Sequence, residues 1–336
     1  MIRTMGASGR GLLLLGAALL AALAGCTRED AGTAAYPTHP VALVVPFSAG
    51  GPTDVLARTL AISMSETLGQ SVVVENRVGA GGTIGAAHVA RTRPDGYTLL
   101  LHHNGMATGK ALYSKLAYDP LQSFEFVGQV VDVPMTLIGR ADFPPNDAQE
   151  LFAYIKANRE TINLAQAGPG AVSHLCALLL QRALGVEITT VQFQGTAPAL
   201  VALVGGHVDL LCDQTTQTAP VIKDGQRVKV FGVTTPKRLS SMPDIPTLDE
   251  QGLKGFDVKV WHGVYAPKGT PPAVIDKLNV ALRAALQDDN VKKRFAELST
   301  EAVPMEKVTP EALRSHLAAE IEKWGKVIRA AGVQAD

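Results

Sequence analysis

The residues of this chain that could do chemistry lie in glycine-rich turns between apolar runs and helix-like segments. The first turn, VVPFSAGGPTD, spans residues 44–54 and has no cation and no nucleophile with a base beside it. A turn that opens a helix presents unpaired backbone N–H groups and a partial positive charge, and Gly50 and Gly51 let a ligand approach that backbone. Ser48 and Thr53 can add hydroxyl donors. The turn therefore predicts a site for a small anion, whereas glycines that only permit a tight turn are the alternative for any single loop.

Three further turns share this design, namely Gly79–Gly82, His103–Gly105 and Gly168–Ser173. In an open α/β sheet, ligands bind at the carboxyl ends of the strands, where all of these turns are expected to lie. Turns in two separate α/β segments predict a cleft for a small molecule with an acidic group at one or both ends.

Enzyme signatures are weak. The glycine spacing over residues 79–85 misses a dinucleotide fingerprint by one residue, and Ser173 and His174 do not form a nucleophile elbow. His102 and His103 are consecutive on an expected strand, so they should point to opposite faces and cannot jointly hold a metal. No carboxylate pair or zinc-type spacing is present in the sequence. We therefore expect no catalytic residue, no metal and no cofactor.

The turns are positioned by alternating apolar runs and helix-period segments. Strands are expected at 41–45, 71–76, 97–103, 161–166, 188–194, 208–213 and 228–235. Helices are expected at 52–68, at 173–184, from Thr196, from the prolines at 271 and 272 to Leu286, and from Thr309 to Ile328, while a Thr-rich loop should follow residue 213. This rhythm predicts a mostly parallel sheet with helices on both faces. The 336 residues allow one large domain or two, and the two strand-helix sets favour two.

The first 25 residues have the pattern of a signal peptide. Arg3 and Arg10 precede an apolar run at 12–23, which is shorter than the about 20 residues that span a bilayer, and small residues follow it. Cys26 then stands where a lipoprotein cysteine is lipidated, and an ordinary secretory signal is the alternative. Both alternatives predict a protein that works outside the cytoplasm, with residues 26–36 as a polar tether.

Composition limits the partners and leaves the other cysteines open. Without residues 1–25 the chain has 29 basic and 31 acidic residues, which gives no electrostatic reason to expect nucleic acid. Cys176 and Cys212 fit a disulfide in an oxidising compartment, and they fit two buried thiols nearly as well.

Six motifs resemble, in order, the substrate-binding proteins of tripartite tricarboxylate transporters, also called Bug receptors. They are PFSAGGPTDVLAR, VVVENRVGAGGTIGA, PDGYTLLL, FQGTAPALVALVGGHVDL, MPDIPTLDEQGLKGF and WHGVYAPKGTPPAVIDKLN, and the resemblance covers nearly all of residues 37–336. The family has members without a lipoprotein cysteine. Gln192–Gly195 also departs from it, because many members have a Pro-Tyr-Lys-Gly-like run there.

The resemblance implies a two-domain periplasmic binding protein of type II-like α/β fold, with mostly parallel sheets and a central ligand cleft. Crossing strands are expected near Met135–Gly139 and Val258–Val264. Domain 1 would then comprise residues 37–136 and 262–336, and domain 2 residues 137–261.

The resemblance also implies a carboxylate ligand held by backbone amides, hydroxyls and water. The first turn and its counterpart in the second domain map to Phe47–Thr53 and Gly168–His174. The candidate ligand contacts are Phe47, Ser48, Ala49, Gly51, Thr53, Asn104, Gly168, Ala171, Ser173, His174, Asp213, Gln214 and Thr215. Asp54 is expected to cap and orient the first turn.

These inferences predict a monomeric periplasmic receptor, anchored through Cys26, that delivers a small organic acid to membrane permease subunits. A receptor that signals to a membrane partner without transport is the alternative. A secreted hydrolase that uses Ser173 is the third alternative.

Overall fold

The computed structural model describes residues 1–2 and 36–335, of which Pro37 onward forms one compact unit. The predicted leader from residue 3, the predicted lipidation site at Cys26 and the tether up to residue 35 lie outside the described residues. Within the described ranges, no helix combines the length and apolar character that crossing a bilayer requires.

The strands form one continuous sheet. They are β1 (Val41–Val45), β2 (Val72–Asn76), β3 (Thr98–His103), β4 (Phe124–Arg140), β5 (Asn163–Gln166), β6 (Thr189–Gln192), β7 (Leu210–Gln214), β8 (Val228–Val233) and β9 (Lys259–Pro267). Their order is β2-β1-β3-β9-β4-β7-β5-β6, and β8 pairs with β4 beside this path.

Helices connect and cover the strands. They are α1 (Pro52–Leu68), α2 (Thr83–Ala90), α3 (Gly105–Leu112), α4 (Ala148–Asn158), α5 (Val172–Leu184), α6 (Thr196–Val204), α7 (Thr215–Asp224), α8 (Pro272–Gln287), α9 (Asp289–Glu297) and α10 (Pro310–Ala331). Strand-helix alternation confirms the predicted α/β class.

The pairing is parallel toward the two ends of the sheet and antiparallel in its middle. Strand β1 runs parallel to β2 and β3, and β5 runs parallel to β6 and β7. The long strand β4 pairs with β9 through Phe124–Pro134 and with β7 and β8 through Met135–Arg140, always antiparallel. One strand therefore serves both halves of the sheet, and the predicted crossing segments fall on β4 and β9.

Local punctuation sets the bounds of α1, which match the prediction. Pro52 occupies the first turn, and Gly69 ends the helix in a left-handed conformation with φ of 68°. Leu56, Leu60 and Met64 recur at intervals of four and are fully buried, so one face packs into the core.

The Thr-rich segment after residue 213 is a helix, α7, and the prediction of a loop there is wrong. Threonine has low helix propensity and Pro220 lies inside the helix, so the sequence of this segment does not predict a helix. Tertiary hydrogen bonds compensate: Thr136 Oγ1 donates to Thr218 Oγ1 at 2.8 Å, and Thr215 Oγ1 donates to Ser299 O at 3.0 Å.

Of the two alternatives for the cysteines, the structure contains the disulfide. Cys176 of α5 and Cys212 of β7 are bonded, with Cα atoms 6.3 Å apart, and both are buried. A cross-link across 36 residues stabilises a fold by about 4 kcal/mol through restriction of the unfolded chain. The bond also ties together the two elements that carry Ser173 and Asp213.

Candidate ligand-binding site

A small cavity of about 20 Å³ lies beyond the carboxyl ends of β1, β3, β5 and β7. This is little more than the space that one water needs. Its lining residues are Phe47, Gly51, Pro52, Thr53, His103, Met135, Ala167, Ala171, Val172, Ser173, Thr196, Asp213 and Gln214, none of which is a lysine or arginine.

The structure brings together only part of the set predicted from the sequence. Phe47, Gly51, Thr53, Ala171, Ser173, Asp213 and Gln214 line the cavity, whereas Ser48, Ala49, Asn104, Gly168, His174 and Thr215 do not. Sequence reasoning missed Pro52, His103, Met135, Ala167, Val172 and Thr196. Four of these six, Pro52, His103, Ala167 and Val172, adjoin a predicted residue in the sequence, so a wider window around each turn would have found them.

Two predicted residues are held by distant backbone groups instead of facing the cavity. Asn104 accepts a hydrogen bond from Trp261 N at 3.0 Å and donates to Lys259 O at 3.2 Å, which fixes the start of α3 on β9. Thr215 donates its hydroxyl to Ser299 O at 3.0 Å. Both side chains therefore position the scaffold around the site.

The remaining predicted residues surround the cavity without lining it. Ser48 N donates to Gln194 O at 3.2 Å, and Ala49 is exposed. Gly168 N donates to the side-chain oxygen of Gln166 at 2.6 Å. His174 lines a separate surface groove, and its Nδ1 accepts from a backbone N–H at 3.2 Å.

Four helices, α1, α5, α6 and α7, begin at the cavity. Their N-cap residues are Gly51, Ala171, Gly195 and Gln214, and none of these provides a side-chain cap. Of the other six helices, α4, α9 and α10 have N-cap side chains that accept hydrogen bonds from their own helices, whereas α2, α3 and α8 also lack a side-chain cap. The four helices at the cavity therefore direct unpaired N–H groups and the positive ends of their dipoles at it.

His103 supplies a neutral donor to the same cavity. Its Nδ1 accepts from Gly105 N at 3.1 Å, so the neutral ring carries its proton on Nε2. Burial lowers the pKa of His103 to about 3, which keeps the ring uncharged at physiological pH. The ring stacks on Phe47 with centroids 4.5 Å apart.

The expectation that His102 and His103 point to opposite faces is wrong. Their ring centroids are 5.0 Å apart and both rings contact Phe47, because β3 ends at His103 and the chain turns into α3. No group of three or more potential ligands in the described ranges could hold a metal.

Ser173 and Thr53 bring hydroxyls from two sides. Ser173 Oγ accepts from Ala167 N at 2.9 Å, which leaves its own proton to donate. Thr53 Oγ1 lies 3.2 Å from Nε2 of the buried His262. Burial lowers the pKa of His262 well below its ordinary value, so this partner is neutral as well.

Asp213 is the one ionisable carboxyl group among the lining residues. Burial raises the pKa of Asp213 to about 7, although hydrogen bonds from Gln214 N and the Thr196 hydroxyl act in the opposite direction. Its Oδ2 atom is buried without a hydrogen-bond partner, and so is Oε1 of Gln214.

Asp54 does not line the cavity but holds the first turn in place through hydrogen bonds. It accepts hydrogen bonds from Gly50 N at 2.8 Å, from Arg58 Nε at 2.9 Å and from Asn76 Nδ2 at 3.0 Å. Asn76 Nδ2 also donates to Phe47 O at 3.0 Å, so both ends of the turn are fixed.

Comparison with known proteins identifies the family. The family model for the tripartite tricarboxylate transporter family receptor matches residues 56–333. The solved structure of the periplasmic binding protein BugD is 52% identical with a TM-score of 0.87, over 89% of this chain and 99% of that one.

Two other solved structures contain ligands. MatC from Rhodopseudomonas palustris with bound malate is 41% identical with a TM-score of 0.84, over 87% of this chain and 100% of that one. An R. palustris protein solved with adipate is 34% identical with a TM-score of 0.84, over 89% of this chain and 99% of that one. The sequence, the two-domain α/β binding-protein fold and these similarities lead to one conclusion: the chain belongs to the tripartite tricarboxylate transporter receptor family, the Bug family of periplasmic binding proteins.

Proposed function

We propose that this protein captures a small carboxylate between its two domains and delivers it to the permease of a tripartite transporter. The observation that carries the proposal is the cavity itself, where four helices without side-chain caps begin and no lysine or arginine contributes. Helix N-termini, hydroxyls and the neutral His103 ring favour an anion without adding a full positive charge.

The similar proteins support a carboxylate ligand. Malate and adipate, the ligands in two of the solved structures, are both dicarboxylates. The family is one of receptors and not of enzymes, and we propose binding without turnover. The domain boundaries stay as the sequence predicts them, at residues 37–136 with 262–336, and 137–261.

The location and partners belong to the same proposal. We place the mature protein in the periplasm as a monomer, anchored through Cys26, with membrane permease subunits as its partners. A receptor that signals without transport would bind the same ligand, so a pull-down with solubilised permease subunits separates these two functions.

Calorimetry and thermal unfolding test the carboxylate. Malate, succinate and adipate should be titrated into the purified protein, with dimethyl succinate, glucose and magnesium chloride as controls. At least one acid should raise the melting temperature, because a ligand that binds only the native state stabilises it by mass action. Stabilisation by sugar or metal alone would contradict the proposal.

A variant at the cavity extends the test. Ser173→Ala should weaken binding of that acid by about tenfold, since a hydrogen bond to a charged group contributes about 1.5–3 kcal/mol. Thr161→Ala is the control, because its hydroxyl is exposed and bonds only to Asn158 O. Ester hydrolysis that disappears in Ser173→Ala would instead support the hydrolase reading.

A further inference from the structure

The cavity has an acceptor side as well as an anion side. Asp213 and Gln214, at the end of β7, expose 1% and 6% of their surface, and both line the cavity. Asp213 Oδ2 and Gln214 Oε1 are buried and have no hydrogen-bond partner. Buried acceptors without partners are costly to maintain, so two of them beside one cavity call for a donor.

We propose that Asp213, with Gln214 beside it, binds a hydrogen-bond donor on the ligand, so that the ligand is a carboxylic acid with a hydroxyl or ammonium substituent. This inference rests on the proposed function and narrows it from carboxylates in general to donor-bearing carboxylates. Asp213 is then a specificity-determining residue.

The contacts around Asp213 favour an acceptor role for its carboxyl group. Gln214 N and the nearby Thr196 hydroxyl act to lower the pKa of Asp213, which favours the carboxylate over the protonated acid, although Thr196 Oγ1 donates its proton to Gln217 Oε1 at 3.2 Å. The other titratable group of the lining is His103, which is neutral, and no cation among the lining residues balances the charge. A ligand hydroxyl or ammonium would supply the missing donor.

The same geometry orients the ligand. The carboxylate belongs at the starts of α1 and α5, where Gly51 and Ser173 line the cavity, because the N–H groups there attract negative charge. An acid without a hydroxyl or ammonium group has no donor to place against Asp213. Its carboxylate and the Asp213 carboxylate would then repel each other, and this repulsion would weaken binding.

Matched ligand sets test the proposal. Malate, aspartate and succinate share a four-carbon dicarboxylate chain and differ in a hydroxyl, an ammonium or neither. Adipate, 2-hydroxyadipate and 2-aminoadipate form the equivalent six-carbon set. By calorimetry at pH 8, at least one donor-bearing acid should bind at least tenfold tighter than the plain acid of its set.

Variants assign the preference to Asp213. In Asp213→Asn, the ratio between donor-bearing and plain acid should fall to within about threefold, mainly because the preferred acid binds less tightly. Gln214→Leu should reduce the ratio less, because it removes a neutral acceptor. Circular dichroism and melting curves check that each variant is folded. The titration of the matched acids into wild-type protein tests the proposal even if a variant fails to fold.

Three results would overturn the proposal. The plain acid could bind as tightly as both substituted acids, or folded Asp213→Asn could keep the full preference. The plain acid could also bind best, and more tightly below pH 7, which would make Asp213 a protonated donor to a carboxylate. If no acid of either set binds, the proposed function itself fails, which is a separate outcome.

Discussion

Among single residues, Asp54 shows how a turn without cations is held in a ligand-ready shape. Burial alone would raise the pKa of Asp54, but hydrogen bonds from Arg58, Gly50 N and Asn76 together lower it below its ordinary value. Arg58 is about half exposed, so solvent screening limits how much its ion pair with Asp54 contributes to stability. The contact that matters most for the site is the one to Gly50 N.

Asp54→Asn should destabilise the protein and weaken ligand binding. We expect a loss of about 1–2 kcal/mol in the free energy of unfolding at pH 7, because one buried acceptor is replaced by an amide. A lowered folded-state pKa contributes stability above the unfolded pKa of about 3.9 and loses it as pH falls through the folded value. Urea unfolding from pH 7 to pH 3 should therefore show the difference between wild type and variant shrinking with acidity.

The ion pair of the exposed Asp142 with the mostly buried Arg140 provides the control. Asp142→Asn should leave ligand affinity unchanged, because the Asp142 side chain is 81% exposed and does not line the cavity. A difference for Asp54→Asn that grows as pH falls would contradict the account of Asp54.

The individual contacts of the site were only partly predictable. Gly51 and Ser173 follow from turn chemistry, because a helix start after a strand is a local pattern. Thr215 and Asn104 fit the same pattern, yet the Thr215 hydroxyl donates to Ser299 O, and the Asn104 amide oxygen accepts from Trp261 N. Those partners are distant in sequence, so residue type alone could not reveal that these side chains are already occupied.

Among the elements, α6 contacts the first ligand-binding turn at its start. Gly195, its N-cap residue, has φ of 147°, and a Cβ there would overlap Ser48 Oγ and come within 3.0 Å of Ser48 N. Ser48 N donates to Gln194 O at 3.2 Å. The start of α6 therefore lies directly against the first turn, and only glycine fits.

Gly195→Ala should weaken ligand binding by about tenfold, because relieving the collision with Ser48 moves the start of α6 away from the first turn. Gly206→Ala, just past the other end of α6, is the matched control: its φ is 74° and no atom lies within 4 Å of a new Cβ. Both variants should lose about 1–2 kcal/mol of stability from left-handed strain. Calorimetry that finds equal affinity in the two variants would show that the contact with Ser48 has no role in binding.

The elements differ in how far local sequence determines them. Pro52 begins α1 and Gly69 ends it, so the sequence predicts both of its bounds. Strand β4 could not be read in the same way, because its length depends on pairing with β7, β8 and β9, which are far along the chain. Met135 therefore joined the site only when the structure placed the middle of β4 beside it.

For the whole molecule, the closeness of the turns around the cavity implies motion. Besides the contact of Ser48 with Gln194, Thr108 Oγ1 donates to Gly170 O at 2.9 Å and Tyr113 OH donates to Pro169 O at 3.3 Å. A cavity of about 20 Å³ leaves no room for a dicarboxylate, so these contacts must separate to admit one. Strands β4 and β9 pair with each other next to the site, so they are the natural axis for opening.

Small-angle scattering can measure that opening. We expect the radius of gyration to be larger without ligand than with saturating ligand, since binding selects the closed arrangement. Thr108→Val removes the hydrogen bond to Gly170 O while keeping the side-chain shape, so it should enlarge the ligand-free radius and weaken binding several-fold. Thr161→Val loses only a local bond to Asn158 O and should match wild type in both measurements. Equal radii with and without a bound acid would mean that the ligand enters without domain opening, and the two crossing strands would then be a rigid support for the site and not a hinge.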